Sequence, residues 1–583
     1  MGTSDIPVIV HLPKCLMFDQ NGKLEIGVFL ILVNGLRKLN TSSHALLSVF
    51  AVNKIDRIFQ VPGESYIGLL DALVDFPKID VVTCRHESGA GFMACADGRL
   101  TGRPGVVMVS RGPGASNASI AVHTAQQDAI PLILIIGQIP KKDLRREAFQ
   151  EIDYQKMFGS IAKWVVEPTD PSQLGEIAFK AIRMATSGAP GPVVIVLPED
   201  IQQQQTQQQR WIAVPNAPTT AAPATLEQLR VMLAHAERPL IVAGGFFDKP
   251  GGREALLAFA EAWNIPVAVS FRRHDVFPNR HPLFVGDLGL SNPEKQMSVF
   301  HSSDLILALG TRLDDITSQG YTFPRLPQPQ QTLIHCYPDD HIVGLHFAPH
   351  FGLVCDPATL AADLTPRERP SISETRRDWS RQLREIYEQI AAWPTRTADD
   401  GVSFAHVAHS LANQASKNTM ICLDAGTFAA PVYRHFPFTY PQRLMAPLSG
   451  AMGYGTPAAV ATQLRHPDAK VVCMVGDGGF MMTGNEMIAA VERKLPILFI
   501  LSNNNCYASI RIHQEINYPG RQVGTTLFNP DFIRIAEGFG MQSEAVMEER
   551  QIDAAIARGL AAKGPYFIEV QTSLKVTLPL RGD

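Results

Sequence analysis

The sequence lacks the patterns that mark disulfide-stapled, zinc-binding and membrane-spanning proteins. Its 8 cysteines include no CxxC pair, and several lie inside apolar runs, so we expect reduced core thiols in a cytoplasmic protein. Its 17 histidines include no HExxH pattern. The spaced set His341, His346 and His350 leaves two interpretations open, a metal site and ordinary loop histidines.

Strong charge and long apolar runs are also missing. A formal net charge of -4 gives no electrostatic reason to expect nucleic acid or anionic lipid as a partner. The run IGVFLILV (26–33) is far shorter than the roughly 20 residues that span a bilayer, so it predicts a strand. No basic segment with a cleavage site precedes it, and Ile6 stands where an acylation signal needs a hydroxyl residue. We expect neither secretion nor a membrane anchor.

Strand-like runs alternate with helical patterns along most of the 583 residues, as in VVMVS (106–110), PLILIIG (131–137) and DLILALG (304–310). This alternation predicts three parallel-sheet α/β domains, because helices that cover both faces of a sheet leave its strands apolar throughout. Two segments rich in glutamine, proline or charge interrupt the pattern. The predicted division is an N-terminal extension (1–40), a first domain (41–200), a linker (201–230), a central domain (231–364), a linker (365–400) and a third domain (401–583).

Polar residues follow two apolar runs of the third domain. VGDGGF (475–480) places Asp477 between glycines, and PILFILSNNN (496–505) ends in three asparagines. Loops at the carboxyl ends of parallel strands line ligand crevices, and carboxylate and amide oxygens suit Mg²⁺. The glycines would let the backbone approach a phosphate, with a helix expected to begin near Thr483. The alternative is a plain glycine turn in which Asp477 caps a helix. GxGxxG and GxxxxGK[ST] motifs are absent, which argues against a dinucleotide fingerprint or a P-loop.

The spacing of these motifs resembles that of a known enzyme family. GDGGFMMTGNEM (476–487) with SNNNCYASIRIHQE (502–515) resembles the thiamine diphosphate-dependent enzymes, and most closely their acetolactate synthase group. VPGES (61–65), CRHESGAGFMACADG (84–98), SRGPGASNA (110–118) and GQIPKKDLRREAFQE (137–151) extend the likeness to the first domain. It runs from near Leu36 to the end of the chain. The resemblance implies two thiamine diphosphate-binding folds, pyrimidine-binding and diphosphate-binding, that flank a central Rossmann-like domain.

The resemblance also implies roles for residues around the cofactor. Glu87 would hydrogen-bond the aminopyrimidine and favour the imino tautomer that removes the thiazolium C2 proton. Without the family, Glu87 is only an acid at a helix N-terminus. Met452 would support the bent cofactor, although a methionine there also suits a core position.

Further implied roles concern the diphosphate, the metal and the substrate. The resemblance implies Mg²⁺ ligands at the side chains of Asp477 and Asn504 and at the carbonyl of Cys506. Other residues would contact the cofactor, namely Gly426, Thr427, Gly478, Gly479 and Tyr507. Phe149 and Gln150 would meet the substrate-derived intermediate. Since relatives build each site from two subunits, a homodimer or homotetramer is expected.

Three positions depart from the acetolactate synthase pattern. Glu199 stands where that group has a lysine, and Ile316 stands where it has an arginine that pairs with the carboxylate of the second 2-keto acid. His513 replaces a tryptophan of the acceptor pocket, where it would act as an acid–base group, donate a hydrogen bond or simply cover the pocket. An aliphatic side chain cannot make the two-point contact that arginine makes with a carboxylate, so we expect inefficient joining of two pyruvates.

The central domain leaves the binding of FAD open. GGFF (244–247), SFRRHD (270–275) and GTRLDD (310–315) occupy positions comparable to those of FAD-binding relatives, whereas Cys336 replaces a more polar residue.

The expected function is a thiamine diphosphate- and Mg²⁺-dependent carboligase or lyase that acts on 2-keto acids or related ketones. The alternatives are a 2-keto acid decarboxylase, a C–C cleaving enzyme similar to benzaldehyde lyase or diketone hydrolases, and a noncatalytic relative that retains the fold.

Overall fold

The computed structural model describes residues 40–207, 209–214, 217–290, 292–393 and 398–576, together with two short strands, β1 (Met17–Phe18) and β2 (Leu24–Glu25). Met1–Asn40 form one unit, in which β1 and β2 pair antiparallel, and Thr41–Asp583 form another. The strand predicted at 26–33 lies outside the described residues. Among the helices that the structure describes, none is long and apolar enough to cross a membrane.

The first domain is a six-stranded parallel sheet in the order β4-β3-β5-β6-β8-β7. Its strands are β3 (Arg57–Gln60), β4 (Asp80–Thr83), β5 (Gly105–Val109), β6 (Leu132–Gln138), β7 (Trp164–Val166) and β8 (Pro192–Pro198). Its helices are α1 (Ser42–Val52), α2 (Ile67–Leu73), α3 (Glu87–Thr101), α4 (Pro113–Asp128), α5 (Tyr154–Phe158) and α6 (Leu174–Thr186). Every residue of β5, β6 and β8 is buried, as expected for strands covered on both faces.

The central domain is a parallel sheet in the order β11-β10-β9-β12-β13-β14, which is the Rossmann order. Its strands are β9 (Pro239–Ala243), β10 (Val267–Ser270), β11 (Phe284–Leu288), β12 (Leu305–Leu309), β13 (Thr332–Cys336) and β14 (Phe351–Leu353). Its helices are α7 (Pro223–His235), α8 (Gly252–Trp263), α9 (Glu294–His301), α10 (Pro357–Leu364) and α11 (Glu374–Ala391). Helix α11 fills much of the predicted second linker, because its buried Trp379 donates a hydrogen bond to the carbonyl of Pro239 at 2.8 Å. The exact domain boundaries stay predictions.

The third domain is a parallel sheet in the order β16-β15-β17-β18-β20-β19. Its strands are β15 (Thr419–Leu423), β16 (Arg443–Met445), β17 (Lys470–Gly476), β18 (Leu498–Asn503), β19 (Gln542–Val546) and β20 (Tyr566–Gln571). Its helices are α12 (Phe404–Gln414), α13 (Ala430–His435), α14 (Gly455–Arg465), α15 (Asp477–Thr483), α16 (Met487–Glu492), α17 (Ala508–Asn517), α18 (Phe532–Gly538) and α19 (Ile552–Ala561). Counted along each domain, this strand order equals that of the first domain. The predicted fold class is confirmed.

The first and third domains share one hydrophobic core through α3 and α14. All residues from Gly89 to Gly98 are buried, and the ring of Phe92 meets that of Tyr454 edge-on with centroids 5.6 Å apart. At the end of this contact, Arg465 donates to Asp97 at 2.9 Å and to Asp56 at 3.0 Å. The side chain of Asp97 is almost fully buried. The two domains therefore form one packed body within the chain.

The cysteine and histidine predictions meet different outcomes. The structure describes seven of the cysteines, all as buried free thiols, while Cys15 lies outside the described residues. His341, His346 and His350 do not form a metal site, since no three metal-ligating side chains of the described residues come together. His350 instead accepts a hydrogen bond from the backbone N–H of Leu333 at 3.1 Å.

Replacing Arg465 by alanine should destabilise the protein strongly. The carboxylate of Asp97 would stay buried with only the guanidinium of Arg57 nearby, at 3.7 Å, which typically costs about 3 kcal/mol. The measurement is the midpoint of thermal unfolding. Arg558→Ala is the matched control, because Arg558 pairs with Glu544 at an exposed site, where the loss should stay below about 1 kcal/mol. Equal shifts in the two variants would contradict this account of the interface.

Candidate active site

The glycine turn of the third domain joins β17 directly to α15. Asp477 is the first residue of α15, so the expectation that the helix begins near Thr483 is wrong: the glycines tighten the turn enough for the helix to begin at the end of the strand. The Asp477 side chain is only 3% exposed. Its carboxylate accepts the N–H of Gly478 at 2.9 Å and the side-chain amide of Asn529 at 2.8 Å. Burial raises the pKa of Asp477, and these hydrogen bonds oppose the shift.

The asparagine cluster lies at the end of the neighbouring strand. Gly476 pairs with Ser502 in the register of β17 and β18, so Asp477 and Asn503 follow adjacent strand ends. Asn529 connects the two, since its amide also donates to the Asn503 side-chain carbonyl at 2.9 Å. The other predicted metal ligands, Asn504 and Cys506, follow within three residues of Asn503. The Asn504 amide oxygen accepts the N–H of Cys506 at 3.1 Å, and the Cys506 carbonyl accepts that of Ala508 at 2.8 Å.

Three predicted cofactor residues meet beside this cluster. A Cβ atom at Gly478 would lie 2.4 Å from the ring of Tyr507 and 3.4 Å from the methyl group of Met452. Any side chain larger than hydrogen would therefore displace the tyrosine ring. Met452 and Tyr507 thus both lie against Gly478, the residue after Asp477.

Asp424 holds the segments that carry Met452 and the glycine turn. It lies at the end of β15 with no exposed surface, and both carboxylate oxygens accept the N–H of Gly453 at 2.9 Å. A Cβ atom at Gly479 would lie 2.9 Å from its carboxylate. Burial raises the pKa of Asp424 to about 6. The sequence motifs did not single out this residue.

Gly426 and Thr427 lie close to the same turn. Thr427 opens a short 3₁₀ turn (Thr427–Ala429), and the ring of Phe428 lies within contact distance of both Gly426 and Gly476. The structure therefore brings the predicted diphosphate contacts of two loops to one end of the sheet.

The first domain carries the second group of predicted residues. Glu87 begins α3, is half-buried, and accepts a hydrogen bond from the side-chain amide of Asn117 at 2.9 Å. A Cβ atom at Gly114 would lie 3.3 Å from the Glu87 carboxylate. Gly112 lies against the backbone of Gln150, where a Cβ atom would come within 2.7 Å of its carbonyl oxygen. The start of α4 thus contacts both Glu87 and Gln150, whereas the neighbouring side chain of Phe149 is 77% exposed.

Glu486 ties the two groups together within the chain. It follows α15 in the 3₁₀ turn Gly484–Glu486, and one carboxylate oxygen accepts the N–H groups of Arg85 at 3.0 Å and His86 at 2.9 Å. The other oxygen is buried without a partner, and burial raises the pKa of Glu486. The residue before Glu87 is therefore fixed by the third domain. Among the described residues, no hydrogen bond or ion pair links Glu87 itself to Asp477 or Asn504.

His513 is not brought to either group by a described hydrogen bond or ring contact. It lies exposed on α17, where its carbonyl accepts the Asn517 side chain at 3.0 Å. The sequence analysis missed four residues of this region, because each makes its hydrogen bonds to a residue distant along the chain. They are Asn529, Asp424, Glu486 and Asn117.

A separate cavity of about 760 Å³ opens between the central and first domains. The ends of β9 and β12 form one side, at the point where the strand order of the central sheet reverses. All three segments that the sequence suggested for FAD contribute to it, through residues such as Gly244, Arg273 and Gly310. Rings of Phe246 and Tyr337 also line it, and they meet edge-on with centroids 4.8 Å apart.

Comparisons with known proteins agree with this architecture. Residues 40–157 match the model of the thiamine pyrophosphate enzyme N-terminal TPP binding domain, residues 226–364 its central domain and residues 424–570 its C-terminal TPP binding domain. Thiamine pyrophosphate is another name for thiamine diphosphate.

Curated relatives match over nearly the whole chain. The acetolactate synthase isozyme 1 large subunit of Escherichia coli K12 is 30% identical over 542 residues, which cover 92% of this chain and 94% of that protein. The isozyme 2 large subunit of the same organism is 29% identical, with 88% and 92% covered. A probable acetolactate synthase large subunit of Methanocaldococcus jannaschii is 27% identical, with 92% and 93% covered. The chain therefore belongs to the thiamine diphosphate-dependent enzymes and, within them, to the acetolactate synthase-like group.

Proposed function

We propose that this enzyme is a magnesium-dependent carboligase that transfers the acyl unit of a 2-keto acid donor to a second carbonyl compound. The observation that carries the proposal is that Met452 and Tyr507 both lie against Gly478, next to the buried carboxylate of Asp477. The relatives compared are named acetolactate synthases. The decarboxylase, lyase and noncatalytic alternatives are not favoured.

Oxygen donors of the third domain fit a magnesium ion and a diphosphate. Burial removes water from the carboxylate of Asp477 and raises its pKa, so a cation bound beside it would stabilise the charged form. Asn504 and the carbonyl of Cys506 would complete the protein ligands, and Mg²⁺ would keep positions for phosphate oxygens. Backbone at Gly426, Thr427, Gly478 and Gly479 would hold the diphosphate.

The other residues then act on the rest of the cofactor and on the substrate. Thiamine diphosphate, when bound, supplies a carbanion that adds to a carbonyl carbon and takes up the electrons when the neighbouring C–C bond breaks. Glu87, held by Asn117, would hold a proton against the pyrimidine nitrogen. Met452 and Tyr507 would support the rings. Phe149 and Gln150 would border the substrate, and His513 would reach the acceptor from α17.

We propose that the two groups of residues serve one site because a second copy of the chain supplies one of them. Support comes from the apolar side chains that lie exposed beside each group, Phe149 in the first domain and Met481 and Met482 on α15. We therefore propose a homodimer as the smallest active unit, with a homotetramer as a larger assembly. The buried free thiols support a cytoplasmic location.

The central cavity fits FAD in its size and its contacts. Four carboxylates line it, and three of them pair with cations: Asp128 with Arg273, Asp248 with Arg253 and Asp356 with Lys249. The fourth, Asp314, accepts the backbone N–H of Thr317 at 2.9 Å. Arg312 lines the same wall and donates to the hydroxyl of Tyr337 at 3.0 Å. Guanidinium groups would face a diphosphate, and the two aromatic rings would face a planar ring system.

Incubation of the purified protein with thiamine diphosphate, Mg²⁺ and pyruvate tests the proposed reaction. We expect both CO₂ and a carboligation product, with acetolactate as the product when pyruvate is the only carbonyl compound. Release of CO₂ without any ligated product, also after adding 2-ketobutyrate or propanal as acceptor, would contradict the proposal.

Glu87→Gln should lower kcat by about 10²- to 10⁴-fold, the usual range for loss of a positioned proton-transfer group. The amide keeps the hydrogen-bonding shape but cannot take up the proton. Glu176→Gln is the matched control, since Glu176 also lies in the first turn of a helix but is exposed. Circular dichroism should be the same for both variants. Unchanged turnover of Glu87→Gln would remove this account of its role.

The purified protein should carry flavin absorbance, and Arg312→Gln should weaken FAD binding by about tenfold or more through loss of a charge-assisted contact. The flavin content after gel filtration and a fluorescence titration with FAD measure this. Arg238→Gln, at an exposed position, is the control and should retain wild-type affinity. A colourless protein that does not bind added FAD would exclude this use of the cavity.

A further inference from the structure

The loop between β5 and α4 carries an arginine to which the proposed function gives no role. Arg111 lies in the turn 110–112, whose backbone is fixed on both sides. The hydroxyl oxygens of Ser110 and Ser65 are 2.9 Å apart, and the N–H of Gly112 donates to the hydroxyl of Tyr154 at 2.8 Å. These hydrogen bonds therefore fix the backbone position from which the Arg111 side chain extends.

That position borders the predicted substrate residues. Gly112, the next residue, lies against the backbone of Gln150. Gly114 and Asn117, one turn further, contact the carboxylate of Glu87 at the distances given above. Arg111 thus belongs to the same short stretch of chain that holds both Glu87 and Gln150.

Arg111 pairs with one of the residues that depart from the acetolactate synthase pattern. Its Nη1 atom lies 3.2 Å from a carboxylate oxygen of Glu199. The Arg111 side chain is 14% exposed and that of Glu199 is 37% exposed. The negative charge that replaces a lysine at position 199 therefore holds a cation at this edge of the first domain.

The guanidinium keeps a donor available for a second anion. Glu199 occupies Nη1, while Nε is buried and has no hydrogen-bond partner. A buried donor without a partner is unfavourable, so a ligand that accepts from it gains free energy. Nε and Nη2 point in parallel along one edge of the group, and this spacing matches the two oxygens of a carboxylate.

We infer that Arg111 binds the carboxylate of the acceptor 2-keto acid, a contact that the half-buried, aliphatic Ile316 cannot make. This inference rests on the proposed carboligation. This contact gives the enzyme a preference for 2-keto acids over aldehydes as acceptors. Arg111 of the first domain makes the contact, and Glu199 orients the Arg111 side chain.

The test compares two acceptors that differ in one carboxylate. With pyruvate as donor, 2-ketobutyrate and propanal compete for the same site, and the ratio of their kcat/KM values is measured. Arg111→Gln should lower this ratio about 10- to 100-fold, as expected for one charge-assisted pair. Glu199→Gln removes the charge that orients the guanidinium and should lower the ratio by a smaller factor than Arg111→Gln does. Arg183→Gln, exposed on α6, is the control for surface charge.

Calorimetric titration without pyruvate gives a second readout. The Kd of 2-ketobutyrate should rise about tenfold or more in Arg111→Gln and should recover in part in Arg111→Lys. Equal losses with both acceptors, or an unchanged ratio and an unchanged Kd, would overturn the inference. If the wild-type enzyme ligates neither acceptor, the proposed carboligation is wrong, and the calorimetric constants alone then decide the role of Arg111.

Discussion

The packing of α3 between α4 and α14 determines where the predicted active-site residue Glu87 lies. Ten consecutive residues of this helix are buried, and Gly91 lets it approach α4 so closely that a Cβ atom would lie 2.4 Å from that of Ala121. Such a helix cannot rotate or slide without opening the core that the first and third domains share. Its first residue, Glu87, is therefore held at one fixed place relative to the third domain.

We propose that this constraint keeps two half-sites apart within each chain. Glu486 uses a buried carboxylate to fix the backbone just before Glu87, and α15 begins nine residues earlier at Asp477. Glu486 thus connects the two segments, but no described hydrogen bond or ion pair joins Glu87 to Asp477. A second copy of the chain, docked through the exposed apolar side chains, would bring Glu87 of one subunit to Asp477 of the other. Glu87 and Asp477 would then already have their final positions within each chain before the dimer forms.

The sequence predicted what depends on local pattern. Apolar runs located the central strands, and the glycines around Asp477 located the turn, because both follow from neighbouring residues. Short edge strands such as β14 and β16 have too few residues for a clear pattern. Asp424 and Asn529 escaped prediction because a buried carboxylate that accepts backbone N–H groups, or an amide that bridges two strand ends, is defined only by the folded chain. The ion pair between Arg111 and Glu199 joins residues 88 apart in sequence, so only one half of it, the departure at Glu199, was visible beforehand.

Activity of mixed dimers tests most directly whether the half-sites come from different chains. Glu87→Gln and Asp477→Asn subunits, each inactive as a pure dimer, are unfolded together or coexpressed with different tags, and the mixed dimer is isolated. Sites formed across subunits leave the mixed dimer with one intact site and one doubly altered site, so it should have about half the activity of the wild-type dimer. A mixed dimer as inactive as its parents would place Glu87 and Asp477 of the same chain in one site and would contradict the account.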